Sequence, residues 1–166
     1  MQAQEDAVDV PLLLALWFHT VALVIAWGYY GILGRIVIPA LGRSLDGATQ
    51  ARTLAAVERQ ALPIVLAAVV LFTVTGTYLL VDNPRYEGLG TFFDSTWSTL
   101  MLVKHALVVG FVVLAIAMDR SIRRAAADEN GDGRALYLRR ARLLAEGATG
   151  LGALIVLLTA AAQVAD

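Results

Sequence analysis

The chain has 166 residues, 58% of them hydrophobic, a formal net charge of −1 and a mean hydropathy of +0.69. An ordinary soluble domain is about 45–50% apolar, so an ordinary soluble globular protein is excluded, and the charge balance points away from nucleic acid. The chain has no cysteine, which excludes disulfides, thiolate metal sites and iron–sulfur clusters and leaves three methionines as soft ligands.

The first ten residues, MQAQEDAVDV, carry three acids and no base. A secretory leader begins with positive charge, so the first apolar block is expected to be a retained helix. Asp9 followed by Pro11 predicts its start, and Pro39 its end. The stretch SLDGATQARTLAAVERQ is expected to begin as a short surface helix before the second block. Asn83-Pro84 breaks the chain after that block, and Asp94, Ser95 and Thr96 offer N-caps to the third. AAADENGDGRA reads as a polar turn before the fourth. The blocks, 11–38, 60–81, 96–118 and 143–164, are each roughly 20–28 residues long. Each can span about 30 Å of hydrocarbon as a helix. The expectation is one all-α domain over residues 1–166, an integral membrane four-helix bundle running up-down-up-down.

Arginine is sorted by loop. Arg35, Arg43, Arg52 and Arg59 flank the first connection, and Arg120, Arg123, Arg124, Arg134, Arg139, Arg140 and Arg142 the third. The second holds only Arg85. The positive-inside rule then puts loops one and three in the cytoplasm and both termini outside, in a bacterial plasma membrane. Trp97 and Tyr86 suit the outer interface and Tyr137 the inner one.

Both histidines lie inside apolar runs, His19 in LWFHTVALVIAW and His105 in LMLVKHALVVGF. His19 is eight residues past Pro11, and His105 eight past Trp97. At 1.5 Å per residue each sits roughly 12 Å below the outer boundary. In this topology the first and third spans are diagonal, so the two imidazoles face each other across the core. That arrangement suits a flat cofactor, and one bis-histidine haem b is the first expectation. Around His19, the alanines among Leu12, Ala15, Leu16, Ala22, Leu23 and Ala26 leave room for a macrocycle. Thr73, Gly76 and Thr77 come to a similar depth, and Thr20, Thr73 or Thr77 could accept the second imidazole N–H. Lys104 and Arg85 are candidates to meet haem propionates.

Two alternatives stand beside haem. His19, His105 and Met101, one turn before His105, could hold copper(I), which accepts thioether and imidazole. Against a copper pore, these ligands lie at one depth only, and Lys104 beside them repels a cation. A structural subunit, whose histidines only knit helices together, is the third reading. The glycines of EGATGLGAL, and Gly28, Gly31 and Gly34, form small-residue faces for internal packing or a homodimer. Trp27, Tyr29 and Tyr30 read as packing or interfacial residues.

The runs WFHTVALVIAWGYYGI, TVTGTYLL and TLMLVKHALVVGFVVLAIAMDR resemble the copper-resistance protein D (CopD-like) family over about residues 12–124. The resemblance maps its early histidine and tryptophan to His19 and Trp27, its Thr-Gly pair to Thr75 and Gly76, and its lysine to Lys104. It implies copper import. The same runs resemble the HemJ-type protoporphyrinogen oxidases, four-helix membrane proteins, and that likeness implies haem b on an early-helix histidine. This chain has LGRIVIP and no third histidine, which points away from that enzyme activity. The expected function is therefore a small membrane b-type cytochrome exchanging electrons with a quinol or a periplasmic or membrane redox protein. A redox or metal-binding protein is expected ahead of a stand-alone enzyme, and no residue is assigned as catalytic.

Overall fold

The computed structural model describes residues 9–86, 88, 90 and 93–164. Its elements are α1 (Val10–Ile32), a π-helical turn (Leu33–Val37), α2 (Ile38–Ser44), α3 (Gly47–Val81), α4 (Thr96–Ala127) and α5 (Arg134–Gln163). Four helical stretches are long and apolar enough to cross a membrane: Val10–Ser44, Gly47–Val81, Thr96–Ala127 and Arg134–Gln163. The described chain is an all-α, four-helix bundle, with α2 continuing α1 through the π turn.

The expected helix starts form as the capping residues dictate. Asp9 accepts the Leu12 N–H at 3.1 Å, with Pro11 in the first turn where its missing N–H costs nothing. Ser95 caps α4 in a reciprocal box with Ser98. Asp46 caps α3, and the Thr49 hydroxyl and N–H it binds hold its carboxyl below its ordinary range.

The helices are longer than the apolar blocks. Pro39 does not end the first helix. A proline ring clashes with the carbonyl four residues back, and the wider π turn immediately before it, where the Ile38 N–H reaches Leu33, lets the helix run on to Ser44. The expected surface helix is the first part of α3, continuous with the second span through Pro63. The turn of AAADENGDGRA shrinks to 128–133, where Asp128 accepts the Gly131 and Gly133 N–H groups at 3.0 and 2.8 Å.

The bundle is apolar outside, and alanine makes up much of its inside, around larger buried side chains such as Leu33, Leu54, Met118 and Ile122. Val24, Ile25, Ile64, Val70, Val74, Val109, Val113 and Leu157 are exposed. Ala22, Ala26, Ala51, Ala68, Ala125, Ala141, Ala145 and Ala148 are buried. Small inward residues let membrane helices approach closely, since lipid gives large apolar groups no reason to turn inward. Trp27 packs over Gly152, where a Cβ would stand 2.4 Å from the indole, and its Nε1–H donates to the Thr149 carbonyl at 2.8 Å. Gly34 lies against Ala145, where a Cβ would come within 3.0 Å. Gly152 therefore serves α1–α5 packing and Gly34 the packing of the π turn on α5, whereas Gly28 and Gly150 face open space. α1 and α4 each pack on both α3 and α5 and scarcely approach each other. Between them stand the rings of Tyr30 and Phe111, edge to face at 5.3 Å.

Candidate metal-binding cavity

Where the first turns of α1 and α4 meet the last turns of α3 and α5, the helices line an open cavity of about 610 Å³. It falls within the range of about 300–1,000 Å³ typical of small-molecule and cofactor sites. His19, Thr73, Gly76, Thr77, Arg85, Met101, Lys104 and His105 all line it. The structure thus brings together every candidate ligand-contacting residue except one. Ala22 is fully buried in the core and does not line the cavity.

Each histidine is fixed through one ring nitrogen. His19 Nδ1 lies 3.0 Å from the Phe72 carbonyl oxygen and 3.1 Å from Thr75 Oγ1. A carbonyl can only accept, so Nδ1 carries the proton and Nε2 keeps its lone pair. The Thr75 hydroxyl spends its own proton on the Leu71 carbonyl at 2.6 Å, which orients its oxygen to accept from the imidazole. His105 Nδ1 donates to the Met101 carbonyl at 2.6 Å, one turn back on its own helix, again leaving Nε2. Ligand imidazoles almost always donate their second N–H to a carbonyl or carboxylate, which sets tautomer and ring angle. Both cavity histidines already do so.

The His19 ring is also held from its faces. It stacks on Phe72 with centroids 4.0 Å apart and planes 21° apart. On another side it rests against Gly76, where a Cβ would come within 2.8 Å of Cε1. His19 bonds neither Thr73 nor Thr77, whose hydroxyls donate to the Val69 and Thr73 carbonyls. Thr20 bonds Leu16 in the same way. A threonine hydroxyl on a helix bonds readily to the carbonyl four residues back. Only Thr75 combines that bond with a position facing α1.

The rest of the wall differs from the sequence expectation in one respect. Trp97 is buried at 6% exposure, packed with Met101 and Ala162, and lines the cavity instead of standing at a lipid interface. Tyr86 packs half-buried against the same group, and Tyr137 packs half-buried against the main core. The floor of the cavity is apolar. Phe72 and Val108 line both it and a 30 Å³ void that Leu23, Ala26, Val69, Phe111 and Ile155 also enclose.

A polar pair unforeseen in the sequence lies elsewhere between α1 and α3. Tyr29 donates its hydroxyl proton to Glu58, whose side chain is 4% exposed. A buried Gln50 likewise donates to the Ile38 carbonyl at 3.1 Å, tying α2 to α3. The signal in the sequence is the position of Glu58, four residues after Leu54 and seven after Ala51, both fully buried.

Among the described residues no three His, Cys, Asp or Glu side chains gather into a metal-binding group. Zinc-type sites draw three or four ligands from such side chains. The donors that do line one cavity are two imidazoles and the Met101 thioether, a set that suits copper(I). Two imidazoles are also the donor set of a bis-histidine haem.

Fold and cavity together define an integral membrane helical-bundle protein. Residues 62–162, more than half of the chain, match the copper resistance protein D (CopD) family, and the protein belongs to it. The matched stretch contains Gly76, Met101, Lys104 and His105; His19 lies before it. No curated protein and no solved structure matches the chain.

Proposed function

We propose that the protein is a copper-binding membrane protein that holds Cu(I) in this cavity through Nε2 of His19, Nε2 of His105 and the thioether of Met101. The observation that carries the proposal is the pair of imidazoles tied by Nδ1 to backbone carbonyls, both lining one cavity with Met101. Membership of the copper resistance protein D family supports it. The apolar floor of Phe72 and Val108 favours a binding and delivery site over an open pore.

The direction of the spans belongs to the same reading. The helices alternate in direction, loops one and three face the cytoplasm, and the cavity opens toward the outer face of a bacterial plasma membrane. The arginine asymmetry supports this orientation. Copper would then enter from outside.

The test is metal analysis and a visible spectrum on one detergent-purified sample after anaerobic loading with Cu(I) and desalting. Wild type should retain copper, and His19→Ala and His105→Ala should not. Equal retention by both variants, or none by wild type, would overturn the proposal.

A second reading is favoured by the size of the cavity and by the delivery of its two histidines from α1 and α4, which face across the bundle. It is the bis-histidine haem b of a small cytochrome. His19 and His105 would be the axial ligands, and the group would supply one-electron chemistry with a quinol or a protein partner docked at loop 83–96. A sharp α-band in the dithionite-reduced sample, with stoichiometric iron, would select it.

A further inference from the structure

Lys104 is set in α4 immediately before His105, and its side chain lines the same cavity as both histidines. It makes no hydrogen bond or ion pair with any described residue. Among the described residues, the wall also holds Arg85 and Asp82, at the rim where α3 ends. Arg85 is anchored at that rim by its bond to the Ala162 carbonyl at 3.4 Å.

An ammonium in an apolar span is retained at a cost unless something in the site uses it. Beside two metal-ligating imidazoles it would oppose a bare cation, because like charges in a low-dielectric cavity repel strongly. We infer that the cavity has an anion subsite at Lys104, so that whatever His19 and His105 hold is held together with a negatively charged group, a carboxylate or a small inorganic anion, in contact with the ammonium. The inference rests on the reading of those histidines as ligands. The shared chemistry is an anion beside a metal. Its source is either a small co-ligand on copper or a carboxylate carried by a macrocycle.

The sign of one mutational effect decides it. Lys104→Met, Lys104→Arg and Lys104→Glu are purified in detergent beside wild type, and their affinities for Cu(I) and for hemin are measured. An anion subsite predicts that Lys104→Met weakens binding roughly tenfold, the size of one charge-assisted hydrogen bond. Lys104→Glu should weaken it further, and Lys104→Arg should hold it near wild type. Unchanged or tighter binding in Lys104→Met and Lys104→Glu would overturn the inference, because removing a cation beside a bare metal ion raises its affinity.

Two arms separate the sources. If the anion belongs to a macrocycle, hemin dimethyl ester should bind wild type and Lys104→Met alike while free-acid hemin discriminates between them. If it is a co-ligand on copper, Cu(I) affinity should rise with added azide in wild type and not in Lys104→Met. Should wild type bind neither copper nor hemin, the metal reading fails by itself. The subsite is then judged by thermal unfolding of the metal-free protein in acetate at constant ionic strength. Stabilisation of wild type but not of Lys104→Met sustains it, and stabilisation of neither overturns it.

Discussion

Gly76→Ala isolates the positioning of His19 without touching a ligand atom. A Cβ built at Gly76 would lie 2.8 Å from His19 Cε1 and 3.3 Å from Nδ1. The ring cannot retreat freely, because Phe72 stacks on it at 4.0 Å and its Nδ1 is bound to the Phe72 carbonyl at 3.0 Å. Overpacking of this kind costs about 1–3 kcal/mol, and loss of the ring hydrogen bond adds about 0.5–1.5 kcal/mol. Helix propensity acts in the opposite direction, since alanine is favoured over glycine by about 1 kcal/mol. The clash wins, and what it moves is the imidazole. At about 1.4 kcal/mol per decade, the metal affinity of Gly76→Ala should fall roughly 10- to 100-fold. The assay is an anaerobic Cu(I) titration against a chromophoric chelator. Gly28→Ala is the control, because nothing lies within 4 Å of the added methyl. Wild-type affinity in Gly76→Ala would refute the claim that Gly76 seats His19.

Gly152→Ala drives a methyl into Trp27 and breaks its bond to Thr149, so it should lower stability by about 1–3 kcal/mol and shift the tryptophan emission. A melting curve in detergent checks this. Thr75→Val removes one acceptor of His19 Nδ1 and leaves the Phe72 carbonyl, so Cu(I) affinity should drop only about two- to tenfold in the same titration. Tyr29→Phe leaves the buried Glu58 without its donor and should destabilise by about 1–3 kcal/mol while leaving metal affinity unchanged. Thermal unfolding and the titration together separate those two effects.

The bundle and its site were legible in the sequence to different depths. The apolar blocks gave four spans because membrane helices announce themselves by composition and length. The helices run past the ends of those blocks. Helix outside hydrocarbon loses the apolar signal, so the polar first part of α3, through Gln50 and Leu54, looked like a separate surface element. Pro39 looked like a stop because a π turn that accommodates a proline leaves no mark in one-dimensional spacing. His19 and His105 stand out in the sequence as the two histidines inside apolar runs, and both line one cavity. The partners of their Nδ1 atoms did not follow. A backbone carbonyl has no residue type to read, and the choice among Thr73, Thr75 and Thr77 depends on the rotation of α3. Trp97 is a similar case: a tryptophan in a first helical turn suits a lipid interface or a cavity wall equally, and packing decides.

The most direct test of the copper site is the Cu(I) affinity of wild type beside His19→Ala, His105→Ala and the double variant, measured anaerobically against a chelator. The account predicts one tightly held Cu(I) per chain, a large loss in each single variant, and little further loss in the double variant, because the two imidazoles serve one ion. Independent, additive losses, or an affinity that neither substitution changes, would contradict it.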